Sequence, residues 1–214
     1  MDRQRRDLPV LAVLAGLAWM AAVLLVAANP KSISLAGDLA YDRANRAHTV
    51  ALVLLLATMF VVYRTVRAGG LPGGRAATVL VVGAALMLVG NAVSFWGALV
   101  VGRQSEQFWG GWVGWLTYLP GELLLLGAAI GLARAARHWL NVGMLQRWAI
   151  GFVGVLLSIT TATWAVSPAV TLVPAVLAAF ALLAMGMAVA QATRTDLPEP
   201  ADDRRTQVSH EATS

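Results

Sequence analysis

One carboxylate stands apart from the other acidic residues of this 214-residue chain. Ten of the eleven Asp and Glu residues lie in charged loops or tails, whereas Glu122 lies inside the apolar stretch 116–133. An ionisable group within a hydrophobic segment of membrane length is costly, so it normally faces a partner, a water-filled cavity or a helix end. Glu122 is therefore the first residue to consider for chemistry.

Polar residues in neighbouring apolar segments could join Glu122 in a pocket. A hairpin centred between Glu106 and Gln107 would bring Asn91 to the same depth as Glu122, at a rise of about 1.5 Å per residue. We predict a substrate- or ion-binding site made of Glu122, Asn91, Ser94, Thr160, Thr161 and Thr163, with Ser158 nearby. The alternatives are that Asn91 forms an interhelical hydrogen bond and that the hydroxyls bond their own helix carbonyls.

Pro120 and Gly121 immediately precede the carboxylate and permit two interpretations. In the first, the helix starts near Val113 and is kinked at Pro120, which frees backbone carbonyls beside Glu122. In the second, Pro120 occupies the first turn of a shorter helix, which leaves Glu122 near water and well placed against the helix dipole. Both are open from the sequence.

The composition indicates an integral membrane protein. Hydrophobic residues make up 58% of the chain and charged residues 13%, against roughly 45–50% and 25% in soluble globular proteins. Zero cysteines exclude a disulfide framework, thiolate metal sites and a cysteine nucleophile. The formal charge of +5 would suggest nucleic acid in a soluble protein, but the arginines here cluster between apolar segments, so no nucleic-acid partner is predicted.

Six segments are long and apolar enough to cross a hydrocarbon core of about 30 Å. The predicted fold is an all-α bundle of six transmembrane helices, at residues 8–28, 48–66, 76–101, 113–133, 148–166 and 169–190. These form one transmembrane domain over residues 1–192. The polar, proline-containing remainder, 193–214, is predicted to be a disordered cytoplasmic tail.

The distribution of positive charge predicts the threading, because cytoplasmic loops hold the lysines and arginines. With the N-terminus inside, twelve of the sixteen Lys and Arg residues fall on the cytoplasmic side. Both termini are then cytoplasmic, and residues 29–47 form a short external cap. We expect a multi-pass protein of the cell (plasma) membrane, and the preference for arginine over lysine is typical of a GC-rich bacterium. A cleaved signal peptide is the alternative for the first segment, although that segment is longer than usual.

Small residues predict where the helices pack closely. Gly83, Gly90 and Gly97 recur every seven residues, and Gly127 and Gly131 form a GxxxG motif. Such faces let helix backbones approach in lipid. We expect them to pack within the fold, with a homo-oligomer interface as the alternative.

Enzymatic and cofactor motifs are not found. His48 and His138 fall on opposite sides of the membrane in the predicted threading, so they cannot share a metal or haem. The chain has no HExxH, GxSxG or phosphate-loop pattern. We therefore predict no cofactor and no metal.

Three functions of different classes fit these observations. The first is an accessory or scaffolding component that binds a membrane-protein partner in the lipid bilayer. The second is a small transporter in which Glu122 responds to protons or cations. The third is a membrane enzyme that modifies lipids. The scarcity of polar groups within the membrane favours the first.

The predicted threading can be tested with single cysteines, since the chain has none of its own. Cysteines replacing Ser34 and Gln104 should react with a membrane-impermeant maleimide added to intact cells, and one replacing Thr206 should not. Labelling of the Thr206 position, or none at Ser34, would contradict the threading.

Overall fold

The computed structural model describes residues 2–28, 39–97, 112–140, 142–164 and 168–193. Within these ranges the chain forms six long helices, and each is long and apolar enough to cross a membrane. The helices are α1 (Asp2–Ala28), α2 (Leu39–Ala68), α3 (Gly74–Asn91), α4 (Trp115–Ala135), α5 (Met144–Trp164) and α6 (Pro168–Ala192). The prediction of six apolar spanning helices is confirmed.

The start of α2 and the end of α3 differ from the predicted boundaries. Helix α2 begins at Leu39, so the second half of the predicted external cap is helical, which fits its content of alanine, arginine and leucine. A π-helical segment, Ala92–Gly97, continues α3, and residues 112–114 form a π-helical turn before α4. The predicted tail lies almost entirely outside the described residues.

The helices form a closed ring in chain order. Each packs against the next, and α6 returns to pack along α1. Helix α2 also contacts α6 across the ring. One end of the bundle holds the described arginines Arg64, Arg67, Arg75, Arg134, Arg137 and Arg147, and the other holds Arg43 and Arg46. We call these the arginine-rich end and the Arg43 end.

Glycines bring α3 and α4 into backbone contact. A methyl group on Gly83 would lie 2.7 Å from the Gly121 carbonyl oxygen, and one on Gly90 would lie 2.6 Å from the Tyr118 nitrogen. Carbon cannot approach that closely, so only glycine fits. Close packing within the fold is therefore confirmed for Gly83 and Gly90.

The other predicted packing glycines behave differently. A methyl group on Gly127 would meet no atom within 4 Å, so the prediction of intramolecular packing is wrong there. At Gly131 it would make an ordinary contact with Ala76 at 3.5 Å. The surroundings of Gly97 lie outside the description. The GxxxG prediction failed because Gly127 lies on the exposed side of α4, together with Leu123.

Two hairpin connections are tied together at the arginine-rich end. Trp139 is buried, and its indole nitrogen donates to the Pro72 carbonyl at 3.0 Å. Gly70 and Gly73 have positive φ values of 63° and 107°, which other residues rarely adopt. The 69–74 segment is thus a defined turn that connects α2 and α3.

Alanine substitution should distinguish the two kinds of glycine. Gly90→Ala should lower the thermal stability of the purified protein in detergent, by about 1–3 kcal/mol, because the methyl group collides with the α4 backbone. Gly127→Ala is the matched control and should leave the melting temperature unchanged or slightly raised. Equal melting temperatures for the two variants would disprove the α3–α4 contact.

Candidate functional site

Glu122 is buried, with 6% of its surface exposed. It lies two turns into α4, which begins at Trp115 and contains Pro120 in its interior. The helix therefore starts close to the position that the first interpretation gives and contains Pro120, and the shorter helix starting at Pro120 is wrong. Because proline has no backbone N–H, the carbonyl of Leu116 loses its usual helical donor one turn before the carboxylate.

Tyr118 connects Glu122 to His48. Tyr118 precedes Glu122 by four residues, so both side chains lie on one side of α4. The phenol oxygen of Tyr118 lies 3.3 Å from Nε2 of His48 on α2. Trp19 of α1 packs against His48 with 5.2 Å between ring centroids. All three rings are buried.

Two hydroxyl groups of α5 face the carboxyl. Ser158 and Thr161 both lie close to the Glu122 side chain, and Thr161 also lies close to Tyr118, although in the present geometry the Thr161 hydroxyl donates to the Leu157 carbonyl. Their spacing of three residues puts both on one face of α5. The site is thus built from α1, α2, α4 and α5, and we call Trp19, His48, Tyr118, Glu122, Ser158 and Thr161 the polar cluster.

Several atoms of the polar cluster have no close hydrogen-bond partner among the described residues. Oε2 of Glu122, Oγ of Ser158 and Nε1 of Trp19 are all buried and unpaired in the present geometry. Leaving such a group unpaired costs about 1–3 kcal/mol, and buried unpaired groups often mark a catalytic role or an unseen water or ion. The polar cluster therefore has unpaired polar atoms that can bind a water molecule or an ion.

No described cationic side chain neutralises Glu122. Arg75 begins α3 and Arg147 lies near the start of α5, both at the arginine-rich end of the bundle. Ser158, which lies beside the Glu122 carboxyl, is eleven residues from Arg147, roughly 16 Å at helical rise. Glu122 is thus neutral when it carries a proton, and its ionised form would need a bound cation to offset the charge.

Asn91 does not belong to the polar cluster. Gly90 faces Gly114 and Tyr118, whereas Gly121 faces Gly83 and Met87. Glu122 therefore lies about one helical turn or more, at least about 5 Å, from the depth of Asn91. The predicted pairing at equal depth is wrong, because these glycine contacts set a different register of α4 against α3.

Asn91 instead crosslinks α3 to α2. Its amide donates to Oγ1 of Thr49 at 2.8 Å, and the Trp96 indole donates to the same oxygen at 3.3 Å. This is the interhelical bond that was the alternative for Asn91. Ser94 packs against Gly114, so it is a packing residue at the entry to α4.

The three threonines of α5 have different surroundings. Thr160 and Thr163 bond carbonyls of their own helix, at 2.7 Å to Leu156 and 2.7 Å to Ile159 respectively. Thr161 also does so, at 3.2 Å to Leu157, yet it alone reaches Glu122 and Tyr118. Of the six predicted site residues, Glu122 and Thr161 come together and the other four do not.

Three members of the polar cluster were missed from the sequence: Trp19, His48 and Tyr118. A signal existed for Tyr118, because its spacing of four residues from Glu122 places both on one helix face. His48 is the first residue of the predicted second segment, but α2 begins nine residues earlier, at Leu39, and so carries His48 inside the bundle. Nothing in the sequence marks Trp19 among the eight tryptophans.

The chemistry available to the polar cluster is proton exchange and the binding of a small cation. Within the described residues, no group of three His, Cys, Asp or Glu is placed to hold a metal ion. A single carboxyl with hydroxyl neighbours supplies oxygen ligands and one negative charge, which suits a monovalent ion better than a divalent one.

Comparisons with known proteins found no matching family model, no similar curated protein and no similar solved structure. The assignment of function therefore depends on the site itself.

The Asn91–Thr49 hydrogen bond can be measured with a double-mutant cycle. Asn91→Ala and Thr49→Ala should each lower stability in detergent, and their effects should be coupled by about 0.6–1.7 kcal/mol. Additive effects would show that the two side chains do not bond. A cycle between Asn91→Ala and Glu122→Gln is the control, and it should show no coupling.

Proposed function

We propose that this protein is a small membrane transporter in which Glu122 holds a proton or a monovalent cation in turn. The observation that carries the proposal is a buried carboxyl whose Oε2 is unpaired and which faces the hydroxyls of Ser158 and Thr161. A buried ionisable group within a spanning helix is costly and usually marks an ion or proton pathway.

The packing of the glycines supports a transporter over an accessory or scaffolding component. That alternative relied on faces of small residues that would dock a membrane partner. Gly83 and Gly90 pack against α4 within the chain itself, and among the predicted glycines whose surroundings the structure describes, only Gly127 meets open space. One exposed glycine on an otherwise lipid-facing helix surface is weak support for a partner site.

The orientation follows from the charge at the two ends of the bundle. We propose that the arginine-rich end, where α1 begins and α6 ends, faces the cytoplasm of a bacterial cell. The protein would then lie in the plasma membrane with the Arg43 end outside. The polar cluster lies in the half of the bundle nearer the Arg43 end, since Glu122 is close to the start of α4.

Cation binding should release protons from the purified protein. In a weakly buffered detergent solution with a pH indicator, adding sodium, potassium or tetramethylammonium chloride should acidify the medium by up to about one proton per chain, because cation and proton compete for one carboxyl. Glu122→Gln should abolish the release and keep the fold, since the amide retains the shape of the carboxyl. Asp7→Asn is the matched control, because Asp7 is an exposed carboxylate at the other end of the bundle, and it should behave as the wild type.

A protein that releases no protons with any of the three salts, or releases as many after Glu122→Gln, does not exchange cations at this residue. Either result would contradict the transporter proposal. Circular dichroism and the melting temperature of the Gln variant would verify that its fold is intact.

A further inference from the structure

We infer that protons reach Glu122 from the Arg43 end of the bundle along a chain of three side chains, His48, Tyr118 and Thr161. This inference rests on the proposed function, because it concerns the same carboxyl. It adds the route of the proton and its side of entry, and it gives each of the three residues a role in transfer.

The first link joins His48 to Tyr118. Nε2 of His48 and the phenol oxygen of Tyr118 are 3.3 Å apart, and their rings are 6.0 Å apart at 33°. A neutral imidazole has one donor and one acceptor nitrogen, and a phenol can both donate and accept. Such a pair can pass a proton in at one atom and out at another without either group moving far.

The second link joins Tyr118 to Glu122 through Thr161. The Thr161 hydroxyl lies close to both groups. In the present geometry it donates to the Leu157 carbonyl at 3.2 Å, so it must rotate away from that carbonyl before it can accept from the phenol and donate to the carboxyl.

The packing explains why the route leads to one side only. His48 is the member of the chain nearest the Arg43 end, and Asn45, one turn before it on α2, is half-buried. From Glu122 toward the arginine-rich end, the inward faces of α4 and α5 carry buried apolar side chains. These are Leu125, Ala129 and Leu132 on α4 and Ile150, Val153 and Leu157 on α5. Apolar packing of this kind offers a proton no donor or acceptor.

Few charged or titratable groups face the carboxyl. On α4 itself the neighbour is Tyr118, and on α2 it is His48, reached through Tyr118. The described part of α3 has one charged residue, Arg75, and that of α5 has Arg147, both at the far end. The described part of α6 has none. In α1, Trp19 packs on His48 and holds its ring in place.

Time-resolved infrared spectroscopy after a rapid change of pH can test the route. The carboxyl band of Glu122 is identified as the signal that Glu122→Gln removes. Tyr118→Phe and Thr161→Val each remove one hydroxyl group of the proposed proton route and otherwise change the side chain little. Each should slow the appearance of the Glu122 band by about tenfold or more, while the final intensity of the band at equilibrium stays as in the wild type.

Tyr63→Phe and Thr58→Val are matched controls, because Tyr63 lies beside Phe60 and Arg67 and Thr58 bonds the Leu54 carbonyl. Both controls should keep the wild-type rate.

The outcomes separate the route from the function. Wild-type rates in both Tyr118→Phe and Thr161→Val would overturn the route, whatever the response to cations. Slow variants in a protein that releases no protons to added cations would support the route and contradict the transporter. A wild type without any pH-dependent Glu122 band would overturn both.

Discussion

The backbone contact between α3 and α4 is the constraint on which the polar cluster depends. At Gly83, Gly90 and Gly121 an added methyl group would lie 2.6–2.7 Å from backbone atoms of the facing helix. Contacts that close fix both the rotation and the sliding of α4 against α3, because any shift by one residue would place a side chain where only hydrogen fits. The depth of Glu122 in the bundle follows from this register.

The direction of the carboxyl follows from the same contact. Successive residues on a helix are rotated by about 100°. Since Gly121 points at α3, Glu122 turns away from α3 and toward α5, where Ser158 and Thr161 lie. Tyr118, one turn earlier, reaches His48 of α2. A glycine beside a glutamate thus lets one helix pack tightly on one neighbour while it offers its carboxyl to the next.

Much of the fold could be predicted from the sequence, and less of the site. Hydrophobic length determined the six helices, because each must satisfy its backbone within an apolar medium. The importance of Glu122 followed from its isolation among apolar residues. Its neighbours did not follow, since equal-depth pairing assumes a symmetric hairpin and the glycine contacts between α3 and α4 set a different register. Residues such as Trp19 and His48 join the site through contacts between α1, α2 and α4, and no local pattern encodes those.

Several irregular features of the backbone lie in the same half of the bundle as the polar cluster, whereas Pro9 of α1 lies in the other half. The π-helical segment Ala92–Gly97, Pro120 inside α4 and Pro174 inside α6 each weaken the helical hydrogen bonding locally. The half nearer the arginine-rich end has regular α4 and α5 helices with buried Leu, Ile and Val side chains. Glu122 therefore lies where the regular, apolar packing of α4 and α5 gives way to the polar cluster and to the proline and π-helical positions around it.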